Sequence, residues 1–273
     1  MLSPKDANLD GRPEKAFVYL VQSRGPLPDI YADLEHDQAD RIVLSWRDPV
    51  EGGLFAPGTT WTEGRNRLLS EARARKTRYR YYIFLDDDVA FERGGWREFE
   101  QALLTYEPAV ATPYFPWYEG MSRTDHRMDA HRTYWFDAMF NAFHSDVVED
   151  GILLPYVARF DEESWWYSQA ILIYMTFIIY YNHTLQINGV WVSNDKHEEY
   201  PKGTDFKKVI RWVNHDILRA PSTWRGRVTS ALRRLRGAGP YPRPRPKRGS
   251  YRISPAQKER LLRLDSAFWA SRA

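Results

Sequence analysis

The chain has 273 residues, and its 39 Lys and Arg against 36 Asp and Glu leave a formal charge of only +3. A composition that is 43% hydrophobic and 27% charged excludes global disorder, a collagen-like chain and a coiled coil. The absence of cysteine excludes disulfide staples, thiolate metal sites and a cysteine nucleophile.

The small net charge conceals a split. Residues 1–200 carry 20 basic and 32 acidic side chains, a balance of −12, whereas residues 201–273 carry 19 and 4, a balance of +15. An acidic body with a basic tail implies a soluble catalytic or binding domain joined to a segment that seeks an anionic surface. Residues 1–14 are polar and lack the apolar run of an export signal. The most apolar run, 170–181, has 12 residues, where a membrane-spanning helix takes about 20. That run is expected in the core, and the protein in the cytoplasm.

Residues 16–22 and 41–46 read as buried strands closed by Ser23-Arg24-Gly25-Pro26 and Asp48-Pro49, with a helix expected over 30–39 between them. Thr62-Glu63-Gly64 opens an amphipathic helix over 65–76, with Leu68, Leu69 and Ala72 on one face. A strand over 79–85 ends in Asp86-Asp87-Asp88, and a helix over 96–106 and a strand over 109–115 follow. This alternation predicts an α/β fold with a mixed, mostly parallel sheet flanked by helices, in which ligands sit at the carboxyl ends of strands.

Residues 114–132 read as loop, 135–147 as sheet, 161–181 as a long helix, and 185–192 as a strand leading to Asn194-Asp195-Lys196-His197. Beyond Thr204 come a helix over 206–219, a basic amphipathic helix over 224–236, an extended Pro-Arg segment over 237–249 and a last helix over 255–269. The expected division is an N-terminal extension (1–15), a catalytic domain (16–204) and a basic, partly helical C-terminal extension (205–273).

Alternate residues of a strand share a face, so Asp86 and Asp88 can converge on one ligand while Asp87 points elsewhere. Three carboxylates at the end of an apolar strand repel one another, and a divalent cation relieves the repulsion. Hard oxygen ligands select Mg²⁺ or Mn²⁺, which would hold a diphosphate. The alternatives are a solvated acidic turn or a helix cap.

A hydrophobic strand ending in LDDDV, preceded by a helix with Gly64-Arg65-Asn66 and followed by another helix, resembles the DxD region of GT-A-fold glycosyltransferases. The resemblance spans roughly residues 16–203 and implies a GT-A-like, Rossmann-type sheet and a nucleotide-diphosphate sugar bound through the metal. It implies that Asp86 faces the ribose and metal, that Asp88 ligates the metal, and that Asp87, Arg65 and Asn66 lie near the donor. In that family an acidic element opens a helix beneath the acceptor, a strand follows, and a His after the strand completes the metal shell. Asp161-Glu162-Glu163, the strand over 185–192 and His197 match that order, although Ser168-Gln169 could occupy the acidic position.

Glu163 and Glu162, with Asp161 behind them, are the candidate bases for the acceptor hydroxyl; the other reading of these acids is a favourable charge at a helix N-terminus. Lys196 or Lys202 could assist the diphosphate. His126 and His131, with Asp125 and Asp129, sit among Arg123, Arg127 and Arg132, which favours a solvated loop over a metal cluster. Trp117, Tyr118, Trp135, Trp165 and Trp166 either stack on a sugar or belong to the core.

Rival readings are a haloacid-dehalogenase-type phosphohydrolase, whose strand also ends in Asp-x-Asp, and a nucleotidyltransferase. The first is weakened by Ala90-Phe91 after the aspartates, the second by the lack of a Gly-rich loop after the first strand. A non-enzymatic polyanion-binding protein would need the body's charge of −12 to tolerate the polymer, and no specific nucleic-acid motif is present. The favoured expectation is a metal-dependent glycosyltransferase acting on a glycan or lipid-linked acceptor. Residues 224–269 would dock it peripherally on an anionic membrane or else pack on the domain.

Overall fold

Residues Glu14–Ser23 form β1, and every side chain from Phe17 onward is buried. A strand without an exposed face needs cover on both sides of its sheet, and the computed structural model supplies it. The structure describes residues 14–116, 124, 126–133, 135–180, 183–194, 203 and 205–217. Next to β1 run β2 (Ala39–Ser45), with the two-residue β3 (Leu54–Phe55) beyond it, and β4 (Arg78–Asp86), all parallel. With β5 (Ala90–Arg93), β6 (Val110–Tyr114), β7 (Ala130–Arg132), β8 (Phe140–His144) and β9 (Thr184–Ser193) they make a nine-stranded sheet. Its order is β3-β2-β1-β4-β8-β6-β9-β5, with β7 also on β9. Only β5, β7 and β8 run against the others, so the sheet is mixed and mostly parallel, as expected.

The α-helices among the described residues are α1 (Trp61–Ala74), α2 (Trp96–Tyr106), α3 (Ser145–Asp150), α4 (Trp165–Ile179) and α5 (Phe206–Trp212). Strand alternation divides the core in two. Val18, Leu20 and Phe84 pack with Leu68 and Leu69 of α1 and Leu172 of α4. Phe17, Tyr19, Val21, Ile83 and Leu85 pack with Phe99 and Leu103 of α2 on the other face. α1 begins at Trp61, four residues before the expected start. Thr60 caps it in a reciprocal capping box with Glu63, which satisfies two otherwise unpaired donors.

Four expectations change. The helix expected over 30–39 is a 3-10 helix over Asp29–Leu34, because Glu35 is extended and Ala39 already pairs with Phe17. Strands β5 and β7 arise where loop was expected or nothing was assigned, each recruited by β9. The helix expected from 161 starts at Trp165 under a Ser164 cap, so Asp161, Glu162 and Glu163 form a turn ahead of it. The helix expected over 206–219 is α-helical to Trp212 and π-helical over Val213–Ile217.

The body also extends past residue 204. α4 is apolar on nearly every side because it lies between the sheet and α5, whose Val209, with the following Val213, joins the same core. Trp212 meets Phe160 edge to face at 5.4 Å. The Tyr167 hydroxyl accepts from the Asp205 N–H at 2.9 Å, and a Cβ at Gly203 would come within 2.5 Å of it. Residues 205–217 are thus packed rather than appended. The helices expected over 224–236 and 255–269, and the Pro-Arg segment, lie outside the described residues.

Asp40 ties the amino ends of three strands together, accepting from Lys15 Nζ of β1 at 2.6 Å and from the Tyr79 hydroxyl of β4 at 2.5 Å. Burial acts to raise its pKa, but the hydrogen bonds from Lys15 and Tyr79, with the charges of Lys15 and Arg75, hold it below its ordinary value. A depressed carboxyl stabilises the fold above its unfolded pKa, and that stabilisation is lost as pH falls through the folded value. Asp40→Asn is expected to cost about 1–2 kcal/mol in urea unfolding at pH 7, with the difference from wild type vanishing near pH 2.

Candidate active site

The alternation that divides the core also sorts the aspartates. Asp86 follows Phe84 onto the α1 face, and Asp87 follows Leu85 onto the other. Asp86 Oδ1 accepts from Arg65 Nη2 at 2.7 Å and from Trp61 Nε1 at 3.0 Å, two residues one turn apart on α1. The Arg65 side chain is 0% exposed. Its guanidinium lies over the Trp61 ring at 4.2 Å, with the Phe84 and Tyr156 rings at 5.6 and 5.8 Å. Burial raises the Asp86 pKa, Arg65 pulls it back, and the charge of Asp88 raises it again, leaving it at about 7.

Asp87 Oδ2 accepts from the Arg24 N–H at 2.9 Å and the Ser23 hydroxyl at 3.1 Å, which locks the acidic turn to the carboxyl end of β1. From behind, the Tyr31 hydroxyl donates to the Asp86 carbonyl at 2.8 Å and accepts from the Val89 N–H at 3.0 Å. All three aspartates open onto one cleft of about 550 Å³. Gln22 and Arg24 follow from the end of β1, Trp46 from β2, and Thr60 and Trp61 from the start of α1. Asp137 and Met139 precede β8, Trp165, Trp166 and Gln169 come from α4, and Asn194 follows β9.

Several expected site residues take other places. Arg65 acts behind Asp86, and Asn66 exchanges two hydrogen bonds with the Tyr156 backbone, at 2.9 and 2.7 Å; neither lines the cleft. Asp161 is buried and accepts from the hydroxyls of Thr60 at 2.5 Å, Thr62 at 2.8 Å and Ser168 at 2.9 Å, which joins α1 to α4. Glu163 pairs with Lys208 at 2.6 Å and Glu162 is exposed. None of these three candidate bases lines the cleft, and Ser164 rather than an acid caps α4. Lys196, His197 and Lys202 lie outside the described residues, as do Trp117, Tyr118 and Asp125.

His131 is buried on β7 rather than solvated, and the His126 ring packs on Tyr114 and Trp191 at 4.9 and 5.2 Å. Among the described residues, no group of three or more His, Asp or Glu side chains could hold a metal ion. The chemistry of the donor set nonetheless fits a cation. Asp86 and Asp88 bring hard oxygens to one cleft, and the charge of Asp88 already works against ionisation of Asp86.

Sequence reasoning missed Gln22, Arg24 and Asp137. The first two stand at the carboxyl end of β1 and just past it, the very position at which ligands were expected, so their signal was positional. Asp137 carried none: its place comes from a turn, Met139 N–H to Asp137 Oδ1 at 2.8 Å, and from Asp86 N–H to the Met139 carbonyl at 2.9 Å.

No protein-family model matches the chain, and no curated protein sequence matches it. Solved structures do. S. aureus TarS 1–349 in complex with UDP-GlcNAc superposes with a TM-score of 0.50 at 10% identity, over 82% of this chain and 73% of that one. GalNAc-T7 with UDP, GalNAc and Mn²⁺ gives 0.52 at 10% identity, over 95% and 56% of the two chains. What is shared at such identities is the fold, a GT-A-like mixed sheet flanked by helices.

Two substitutions separate support from chemistry. Asp161→Ala, which strands the Thr60 and Thr62 hydroxyls while Ser168 keeps the Val157 carbonyl, is expected to lower stability by about 2–3 kcal/mol in urea unfolding. Arg65→Met, which leaves the Asp86 carboxyl without its charged partner, is expected to cost about 3–5 kcal/mol. Adding Asp86→Asn to Arg65→Met should recover part of that loss, read as a non-additive double-mutant cycle.

Proposed function

We propose that the chain is a metal-dependent glycosyltransferase that moves a sugar from a nucleotide-sugar donor to a hydroxyl of a glycan or lipid-linked acceptor. The observation that carries this reading is the convergence of Asp86, Asp87 and Asp88 with Arg24, Asp137 and two α4 tryptophans in one cleft of a GT-A-like sheet. The UDP-GlcNAc bound to TarS and the UDP, GalNAc and Mn²⁺ bound to GalNAc-T7 support it by analogy of fold.

Asp86 and Asp88 would hold Mn²⁺ or Mg²⁺, and His197 is proposed as a third ligand. When bound, the cation would neutralise charge on the departing diphosphate. Arg24, with Lys196 and Lys202, would meet the same charge. Trp165 and Trp166 offer apolar faces to a sugar ring. Asp137 takes over the role first assigned to Glu163, Glu162 and Asp161, since among the described residues it is the carboxylate on the cleft wall outside the acidic turn. The acceptor oxygen attacks the anomeric carbon, the bond from that carbon to the phosphate oxygen breaks, and its electron pair leaves with the nucleoside diphosphate. The hydroxyl proton passes to Asp137.

No helix among the described residues is long and apolar enough to cross a membrane. The basic residues of 224–269 would instead hold the enzyme against an anionic leaflet bearing the acceptor. The full chain is expected to sediment with phosphatidylserine-containing vesicles and to remain in solution with phosphatidylcholine alone.

A panel of UDP-, GDP-, ADP- and dTDP-sugars with Mn²⁺ should yield free nucleoside diphosphate with at least one donor. Pyrophosphate or inorganic phosphate as the product would overturn the reading. Asp88→Ala and Asp137→Asn should each lower the rate of release at least about 100-fold, the first together with metal dependence and the second with donor affinity unchanged.

A further inference from the structure

Gln22, the last residue but one of β1, lies beside Asp86, with which it is in register on β4. It follows Val18 and Leu20 onto the α1 face, is 6% exposed and lines the cleft. Its Nε2 reaches only the Thr60 carbonyl, at 3.5 Å, and its Oε1 is buried without a hydrogen-bond partner. Buried polar atoms are nearly always satisfied, and an unmet acceptor weakens the fold.

The space around this amide is kept open by a second unfavourable choice. Gly64 lies within α1, where glycine lowers helix stability relative to alanine. No left-handed turn calls for it there. A Cβ at position 64 would instead come within 2.4 Å of Gln22 Nε2 and 2.7 Å of Cδ. A glycine inside a helix and an unsatisfied buried acceptor thus converge on one carboxamide that faces the cleft.

Resting on the glycosyltransferase reading, we propose that Gln22 is a specificity residue whose Oε1 accepts a hydrogen bond from a hydroxyl of the bound nucleotide sugar. The chemistry of the neighbourhood selects a hydroxyl. A neutral carbonyl oxygen beside an acidic turn has nothing to offer phosphate oxygens, which only accept, whereas a hydroxyl donates and carries no charge. Two parts of a nucleotide sugar bear hydroxyls, the ribose and the transferred sugar.

Gln22→Met removes the polar amide while keeping its length, and Gly64→Ala displaces the amide without altering it. Thermal melting of the ligand-free chain reads stability. Tryptophan fluorescence, with UDP and UDP-GlcNAc as probes in Mn²⁺, or the corresponding pair that the donor panel selects, reads binding. Gln22→Met should melt no lower than wild type, since it loses an unsatisfied group, and both variants should bind UDP-GlcNAc at least about tenfold more weakly. Weakening seen already with UDP assigns the ribose hydroxyl, and weakening confined to UDP-GlcNAc assigns the sugar hydroxyl. A Gln22→Met chain that melts several degrees lower makes the amide structural and overturns the proposal, as does binding of both probes within twofold of wild type. A wild-type chain that neither binds nor turns over any donor of the panel brings down the glycosyltransferase reading and this inference with it. Turnover by wild type with both variants unchanged overturns the inference alone.

Discussion

Arg65 carries a guanidinium to a point that water does not reach, and a charge there is tolerable only if an opposite charge and polarisable faces replace the lost solvent. Asp86 supplies the charge, and the rings of Trp61, Phe84 and Tyr156 supply the faces. The rest of the cleft depends on that arrangement. It fixes the first turns of α1 against the end of β4, and it holds Trp61 on the cleft wall through a bond to the same carboxylate. Tyr156 is held in turn by Asn66, so the residue next to Arg65 positions one of its ring partners.

A second network sets the width between α1 and α4. Asp161 gathers hydroxyls from Thr60 and Thr62 on one side and Ser168 on the other. Thr60 is also the N-cap of α1, so a single residue starts that helix and ties it to the turn ahead of α4. With Tyr31, the Ser23 hydroxyl and the Arg24 N–H gripping the acidic turn, the aspartates are held from three directions. Mutual repulsion therefore has no outlet in backbone movement, and preorganisation of this kind is what an electrostatic site requires.

The sheet was legible because hydrophobic runs of strand length alternate with helical periodicity, and because a buried parallel strand such as 16–22 leaves little else for its residues to form. The acidic turn was legible for the same reason, as charge placed abruptly at the end of an apolar run. What escaped is what pairing creates. β5 and β7 exist because β9 offers them an edge, and no local pattern in 90–93 or 130–132 announces that. The places of Asp161 and Asp137 escaped for a related reason. An acid ahead of a helix looks the same in sequence whether hydroxyls or solvent surround it, and an acid in a loop gives no sign of the strand it will border.

The close contact between Gly203 and Tyr167 fixes where α5 begins. Gly203 is seated against α4 with no room for a side chain, and two residues later the Asp205 N–H donates to the same Tyr167 hydroxyl. The backbone therefore reaches the first turn of α5 already held to α4 at two points, so less conformational entropy remains to be lost when Val209 and Val213 enter the core. A side chain at position 203 would displace the Tyr167 ring and loosen both holds at once.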